Sequence, residues 1–274
     1  MTMRFLELQG GDKFPVLGLG TWMMGERTRD AAGEVKALKL GLDLGMSLID
    51  TAEMYGEGGA ETVVREAIAG RRDEVFLVSK VLPQNASRKK TAEACDASLK
   101  RLGTDRLDLY LLHWRGSIPL AETLEAFAAL QRAGKIRHWG VSNFDTSEMQ
   151  QLGAAPAANQ VLYNLTRRGI EWDVLPWCAE HRVCVMAYSP IEQGRILRNR
   201  TLARLARERG CSAAQLALAW VLSRDGVVAI PKAARLEHVR DNRAALDIVL
   251  SGEERAALDA AFPPPGAAHP LEML

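Results

Sequence analysis

The stretch LIDTAEMYGEGGAE, residues 48–61, places a carboxylate and a phenol at the end of an apolar segment. Asp50 closes the apolar run, and Tyr55 follows in a polar turn that is rich in glycine. Each residue taken alone has an ordinary structural explanation, a capping or turn aspartate followed by a packing tyrosine. A phenol has a pKa of about 10 and is a poor proton donor at neutral pH. A catalytic role for Tyr55 therefore requires a neighbour that changes its acidity.

Two further residues would supply what the phenol needs. Lys80 ends the apolar run EVFLVSK, and its ammonium would favour the phenolate and lower the pKa of Tyr55. Asp50 would keep a buried Lys80 protonated. His113, in the run LDLYLLHW, would donate a hydrogen bond to a carbonyl oxygen held beside Tyr55. Charge that develops on this oxygen would then meet two donors.

The hypothesis depends on a fold that brings these separate segments together, because each residue alone has a simpler explanation. Short apolar runs alternate with amphipathic segments along the chain. We predict strands over residues 15–20, 46–50, 74–80, 107–114, 136–144, 159–164, 183–190 and 226–232. We predict helices over residues 29–44, 60–70, 88–102, 120–134, 146–152, 171–181, 199–209, 212–223, 235–246 and 252–261.

This alternation favours an α/β fold, an (α/β)8 TIM barrel, since near-continuous apolar strands suit a parallel sheet that is buried on both faces. A doubly wound open sheet is the alternative. RFLEL and the Gly-Gly turn after it predict an N-terminal β-hairpin at the barrel bottom, and PPPGAAHP, residues 263–270, predicts a loose, short C-terminal tail. The length of 274 residues fits one barrel domain over residues 1–274. In such a barrel the carboxyl ends of all strands form one rim, where the four chemical residues would meet.

The predicted rim also carries residues that suit a redox cofactor. Side chains alone supply no electron pair for reduction of a carbonyl, and a bound nicotinamide fits what remains. The expected contacts are Ser142, Asn143 and Gln160 for the carboxamide, Tyr188 for the ring, Ser189 and the loop IEQGRIL for the pyrophosphate, and Lys232 for a further phosphate.

Composition argues against several other classes of protein. The chain has 35 Lys and Arg against 34 Asp and Glu, so its net charge of +1 predicts no nucleic-acid partner. It has no apolar run of about 18 residues and no signal-peptide pattern, so we expect no membrane partner. The four cysteines form no C-x-x-C pair, which fits a reducing cytoplasm. No metal-ligand spacing is present, and in GLGTWMMG the third glycine of a dinucleotide fingerprint is replaced by Met23. We expect a small-molecule carbonyl substrate and a monomer.

Eight motifs in chain order resemble those of the aldo-keto reductases along nearly the full length. They are GLGTW, LIDTAEMYG, LVSKV, YLLHW, GVSNF, NQVLYN, AYSP and IPKA. DTAEMYG and IPKAARLEHVRDN resemble the small bacterial members most. The family implies an (α/β)8 barrel and NADPH-dependent reduction of aldehydes and reactive dicarbonyls, such as methylglyoxal, to alcohols.

The resemblance also implies residue roles. Tyr55 would be the general acid, tuned by Lys80 and Asp50, and His113 would orient the carbonyl; Trp22 and Trp114 would line the substrate pocket with Tyr55 and His113. The implied cofactor contacts are Gly20, Thr21, Trp22, Asp50, Ser142, Asn143, Gln160, Tyr188, Ser189, Ile191, Gly194, Arg195, Ile230, Lys232, Ala233, Arg235, His238 and Asn242.

Two positions depart from the pattern of NADPH-preferring members. Ala233 stands where many of them have Ser or Thr, and His238 stands where they have Arg. Lys232 and Arg235 add positive charge, so we expect NADPH, while NADH use stays open.

Two other functions also stay open on the sequence. A lyase with Lys80 as a Schiff-base nucleophile would need no nicotinamide, although a charged lysine paired with Asp50 is a poor nucleophile. A regulatory protein that binds the cofactor and turns over slowly is the other alternative.

Overall fold

A short antiparallel hairpin precedes the main sheet. The computed structural model describes residues 3–274, and at residue 28 the backbone alone. Strands β1 (Phe5–Glu7) and β2 (Lys13–Pro15) pair in antiparallel register on either side of a turn that contains Gly10 and Gly11. The predicted N-terminal hairpin is therefore confirmed.

Eight parallel strands follow and form the central sheet. They are β3 (Gly18–Gly20), β4 (Leu48–Asp50), β5 (Phe76–Val81), β6 (Leu107–Leu112), β7 (Ile136–Ser142), β8 (Ala158–Leu162), β9 (Cys184–Tyr188) and β10 (Val227–Ala229). Each strand pairs with the next in chain order. Parallel bridges from Leu17 to Ala229 and from Gly20 to Lys232 join the first strand to the last. The (α/β)8 barrel is confirmed, and the doubly wound alternative is wrong because that fold keeps two open edges.

Helices connect the strands and surround the barrel. They are α1 (Thr28–Asp43), α2 (Gly59–Ala67), α3 (Arg88–Leu102), α4 (Leu120–Arg132), α5 (Thr146–Gln150), α6 (Val174–Glu180), α7 (Arg200–Arg209), α8 (Ala213–Leu222), α9 (Leu236–Ala244) and α10 (Gly252–Ala261). The bounds of α3 and α10 match the prediction because their caps are readable. The Ser87 hydroxyl accepts a hydrogen bond from the Lys90 amide, and Ser251 forms a capping box with Glu254.

Several strands are shorter than predicted, and in the two clearest cases the ladder ends just before a polar residue, His113 or Asn143. The segment predicted over residues 107–114 ends at Leu112, and the one predicted over 136–144 ends at Ser142. The next residues remain tied to the barrel. The His113 amide donates to the Val81 carbonyl at 3.0 Å, and the Asn143 amide donates to the Gln160 carbonyl at 2.8 Å. These bonds fix the backbone from which the two side chains project.

The strand ends approach one another closely where β3 meets β10. A Cβ atom on Gly20 would lie 2.6 Å from the Ile230 carbonyl oxygen, so a larger residue would push the two strands apart. The strand interiors are apolar and buried. Across residues 3–274, no helix is long and apolar enough to cross a membrane.

The chain after α10 has two parts. Residues 263–270 are irregular and mostly exposed, as predicted. The residues after them are anchored: Leu271 packs against the core, and the Leu274 amide donates to the Tyr188 hydroxyl at 3.4 Å. The end of the chain therefore reaches the rim formed by the carboxyl ends of the strands.

Candidate active site

A buried lysine forms the centre of the rim. Lys80 follows from the apolar strand β5 and is completely buried. Its Nζ donates to Asp50 Oδ2 at 2.8 Å, to the Thr51 carbonyl at 2.9 Å and to the Tyr55 hydroxyl at 3.1 Å. An ammonium has three N–H donors, so every donor of Lys80 has an acceptor. The geometry brings the acid and the phenol of the opening sequence onto the same cation.

Asp50 is held on both of its carboxylate oxygens. Oδ2 pairs with Lys80, and Oδ1 accepts a hydrogen bond from Gln160 Nε2 at 2.7 Å. Its backbone carbonyl also accepts from Thr21, through Oγ1 at 2.9 Å. Gln160 was predicted to hold a nicotinamide carboxamide. The Nε2 of Gln160 instead orients Asp50, and the backbone carbonyl of Gln160 accepts a hydrogen bond from the Ser142 hydroxyl at 2.8 Å.

The glycine-rich turn explains how Tyr55 reaches the lysine. The residues after Tyr55 adopt left-handed backbone angles, with φ of 57° at Gly56 and 89° at Gly58. A Cβ on Gly56 would lie 2.9 Å from the Met24 carbonyl oxygen, and one on Gly59 would lie 2.4 Å from the Gly25 carbonyl oxygen. The turn therefore docks backbone to backbone on the loop after β3, which only glycine allows.

The pKa shifts of Tyr55 and Lys80 separate their roles. Burial raises the pKa of the Tyr55 phenol, and the charge of Lys80 opposes this rise without cancelling it. The prediction of a lowered Tyr55 pKa is thus wrong in sign, because desolvation of a buried phenolate outweighs the neighbouring ammonium. Burial disfavours the Lys80 ammonium, but the charge of Asp50 and the hydrogen bonds to Asp50 and Tyr55 outweigh burial and raise the pKa of Lys80. The structure therefore holds a charged lysine against a neutral phenol.

His113 faces the phenol from the other side. The centroids of the His113 and Tyr55 rings are 5.8 Å apart, and the Trp22 ring lies 5.0 Å from Tyr55 with an edge-on geometry. Burial and then the charge of Lys80 lower the pKa of His113 to about 2. Among the described residues, Nδ1 of His113 has no hydrogen-bond partner. At neutral pH His113 is a neutral imidazole that can donate one hydrogen bond and does not act as an acid.

Asn143 connects this group to the predicted ring-binding residue. It follows β7 with a left-handed φ of 58°. Its Nδ2 donates to the His113 carbonyl at 3.2 Å, and its Oδ1 accepts from the Tyr188 hydroxyl at 3.1 Å. Tyr188 ends β9 and is half-buried. Trp114 is also half-buried, with its ring centroid 4.8 Å from that of His113.

The remaining predicted cofactor residues follow three strands. Gly20 ends β3, and Thr21 and Trp22 follow it; Ser189, Ile191, Gly194 and Arg195 follow β9; Ile230, Lys232, Ala233, Arg235, His238 and Asn242 follow β10. Ile230, Ala233 and Asn242 are buried, whereas Lys232, Arg235 and His238 are exposed. Arg235 Nη2 contacts His238 Nε2 at 3.0 Å. Exposed cations and a half-buried tyrosine on one rim suit a cofactor that carries phosphates and a flat ring. Over residues 3–274, no group of three or more His, Cys, Asp or Glu is placed to hold a metal ion.

Sequence reasoning missed several residues that organise the rim. The Thr51 carbonyl accepts a hydrogen bond from Lys80. The fully buried Asn164 side chain donates to the Ser189 backbone carbonyl and to the Glu192 carboxylate, both in the loop between β9 and α7. Asn164 follows β8 in the motif NQVLYN. Its place at a strand end was the available signal. Glu192 and Arg167 carried no local signal, because their importance depends on contacts with distant segments.

The comparisons with known proteins agree with this geometry. The family model described as the aldo/keto reductase family matches residues 16–262. Methylglyoxal reductase YeaE of Escherichia coli is 51% identical, with 100% of both chains covered, and glyoxal reductase of Bacillus subtilis is 34% identical, with 93% of this chain and 91% of that protein covered. A crystal structure of an aldo/keto reductase from Klebsiella pneumoniae in complex with NADP and acetate has a TM-score of 0.96 and 52% identity, with 100% of both chains covered. The chain belongs to the aldo/keto reductase family.

Proposed function

We propose that this protein is an NADPH-dependent reductase of small aldehydes and reactive dicarbonyls, methylglyoxal among them. The observation that carries the proposal is Lys80, whose Nζ contacts both Asp50 and the Tyr55 hydroxyl. Methylglyoxal reductase and glyoxal reductase among the relatives support the substrate class. The NADP in the Klebsiella structure supports the cofactor.

The cofactor would lie along the rim from Tyr188 to Lys232. When bound, its nicotinamide would supply a hydride to the carbonyl carbon. Tyr188 would present its ring to the nicotinamide, and Ser142 and Asn143 would hold the carboxamide. Ser189 and Arg195 would meet the pyrophosphate. The exposed charges of Lys232 and Arg235 would bind the 2′-phosphate, with Asn242 at the adenine.

Tyr55 would give its proton to the carbonyl oxygen. The raised pKa keeps the phenol protonated near neutral pH, so the proton is present when the substrate arrives. Transfer leaves a phenolate, and the Lys80 ammonium at 3.1 Å stabilises that charge. Asp50 keeps the ammonium charged and fixed in place. The neutral His113 would donate a hydrogen bond to the same carbonyl oxygen and so orient it.

The pocket above these groups would be lined by Trp22 and Trp114. Trp22 is 43% exposed, so this side of the proposed pocket faces solvent. All residues invoked belong to one chain, and the proposal therefore requires only a monomer. The four cysteines are free thiols, which fits work in the reducing cytoplasm.

The geometry argues against a Schiff-base lyase. A nucleophilic lysine needs a neutral amine with a free lone pair. The pKa of Lys80 is raised, chiefly through the charge of Asp50 acting against burial, and each of its three N–H groups has an acceptor. Lys80 is therefore built to remain a cation.

Substitution of Tyr55 by Phe tests the proposed acid. We expect Tyr55→Phe to reduce kcat/KM for methylglyoxal and for nitrobenzaldehyde by about a hundredfold or more, because the only proton donor of the mechanism is lost. Steady-state rates with NADPH measure the loss, and quenching of protein fluorescence by NADPH checks that the cofactor still binds.

Tyr110→Phe is the matched control. Tyr110 is also a fully buried tyrosine, on β6, and in the described part of the chain its hydroxyl has no hydrogen-bond partner. Its substitution should leave kcat/KM within about twofold. Near-normal activity of Tyr55→Phe would refute the proton-donor role. A wild-type protein that binds NADPH but turns over no aldehyde of a broad panel would favour the slow regulatory protein instead.

A further inference from the structure

The loop after β9, residues 189–195, is held in an uncommon backbone conformation; we call it the cofactor loop. Ser189, Glu192 and Gln193 have left-handed φ angles of 46°, 49° and 52°, and only the next residue, Gly194, is a glycine. Non-glycine residues rarely occupy this region, and they do so where the surroundings hold them there. The cofactor loop therefore needs external anchors.

The carboxylate of Glu192 is the main anchor. It is buried, and its Oε2 accepts from Asn164 Nδ2 at 2.8 Å. Its Oε1 accepts from Arg167 Nη2 at 3.2 Å and from Arg195 Nη2 at 2.9 Å. Asn164 also donates to the Ser189 carbonyl at 2.9 Å. Ser189 and Glu192, two of the residues with left-handed φ angles, are thus both hydrogen-bonded to the chain segment that follows β8.

Arg167 also binds the end of the chain. Its Nη1 donates to Glu272 Oε1 at 2.5 Å, while Nε and Nη2 remain on Glu192. One guanidinium therefore joins residues 189–195 to residues 271–274, which we call the tail. Arg167 and Glu272 are 36% and 40% exposed, whereas Glu192 is 7% exposed. The bond to the cofactor loop is sheltered, whereas the bond to the tail faces solvent and is more strongly screened by salt.

The ion pair between Arg167 and Glu192 persists at neutral pH. Hydrogen bonds to Glu272 and then to Glu192 raise the pKa of Arg167. Burial acts to raise the pKa of Glu192, but hydrogen bonds from Asn164, Arg167 and Arg195 outweigh burial and hold this pKa below its usual value. A change of loop position would move Arg167, and this movement would strain or release its bond to Glu272.

We propose that Arg167 is a positioning residue that couples the tail to the cofactor loop, so that binding of a dinucleotide phosphate at the loop also orders the tail. The proposal rests on the proposed function, because it takes the loop as the pyrophosphate site. Coupling between two sites is reciprocal. Tail docking would therefore also strengthen cofactor binding, and because the tail reaches Tyr188, it would link phosphate binding at the loop to the residue proposed to face the nicotinamide.

Hydrogen exchange of the full chain, free and with saturating NADPH, tests the coupling. In the wild type we expect NADPH to slow exchange of the amides of residues 191–195 in the cofactor loop and of the tail, residues 271–274, together. In Glu272→Gln the loop amides should still be slowed, but the added protection of the tail should fall by about fivefold or more. Glu272→Asp keeps the carboxylate and should retain most of the tail protection.

Glu208→Gln is the matched control, because it removes an exposed carboxylate that pairs with Arg204 at 2.8 Å on α7. It should behave as the wild type. Protection of the loop without protection of the tail in the wild type would overturn the inference. Equal tail protection in the wild type and in Glu272→Gln would overturn it as well. Absence of any NADPH effect on the wild-type loop would instead refute the proposed function.

Discussion

The rim holds cations in two very different settings. Lys80 is completely buried and all of its donors have fixed acceptors, whereas Lys232 and Arg235 are exposed at the edge where β10 meets α9. A buried charge is tolerated only when it is paired and hydrogen-bonded. Its position is therefore fixed by the positions of its partners. Exposed charges keep their hydration, are screened by salt and contribute little each.

The contrast separates the part of the site that would perform proton transfer from the part that would recognise the cofactor phosphate. The proton donor needs a charge at a fixed distance in a dry environment, because the interaction must act on one atom of the transition state. A phosphate is recognised by its charge, and flexible exposed side chains are sufficient for this. The two settings predict substitution effects of very different size.

The largest effect is expected at the buried cation. Lys80→Met leaves the Asp50 carboxylate buried with Gln160 as its remaining partner, and should lower the free energy of unfolding by about 3–5 kcal/mol. It should also lower kcat/KM by about a hundredfold or more, because the phenolate loses its counter-charge. Urea unfolding and steady-state kinetics measure the two losses.

The double substitution Asp50→Asn with Lys80→Met separates the two losses. It removes the unpaired charge and should recover much of the stability without recovering activity. If Lys80→Met costs less than about 1 kcal/mol, which is the range of exposed ion pairs, the contrast between the two settings is wrong.

A smaller effect is expected from His113 on acid stability. The folded-state pKa of His113 is about 2, below the value of about 6.5 in the unfolded chain. Below pH 6.5 the unfolded state therefore takes up a proton that the folded state refuses, and stability falls as the pH falls toward 2. At pH 5 this contribution amounts to about 2 kcal/mol.

His113→Asn should remove that contribution. Urea unfolding at pH 7.5 and pH 5 should show a loss of stability on acidification that is smaller than in the wild type by about 2 kcal/mol. Above pH 7 the two proteins should have parallel pH dependences. Equal acid sensitivity in both proteins would show that the imidazole is not desolvated as the structure indicates.

The smallest of these effects is expected at the exposed cations. Lys232→Gln should raise the Kd of NADPH about tenfold, which corresponds to about 1.4 kcal/mol, and leave the Kd of NADH within about twofold. The difference should shrink in high salt, because the charge is exposed. Lys89→Gln on α3, where the side chain is 86% exposed, is the control. Equal effects on the Kd of NADPH and of NADH would show that Lys232 does not bind the 2′-phosphate.

The accuracy of the predictions differs between the two settings for a physical reason. Lys80, Asp50 and Tyr55 were predicted to meet because strand ends of a parallel barrel share one rim. The direction of the Tyr55 pKa shift was wrong because it depends on burial, which no local pattern reports. The helices with readable caps, α3 and α10, matched their predicted bounds, whereas several strand ends did not, because the last ladder bond depends on the neighbouring strand and has no local signal.

The sequence by itself determined the order of the elements and favoured a barrel whose rim carries Asp50, Tyr55, Lys80 and His113, because hydrophobic periodicity is a local property of the chain. Only the tertiary structure decided the partners. Gln160 binds Asp50 across 110 positions of the chain, and Arg167 binds Glu272 across 105. Such contacts, and the loss of water that sets the pKa values of Tyr55 and His113, depend on which distant atoms the closed barrel brings within hydrogen-bond distance.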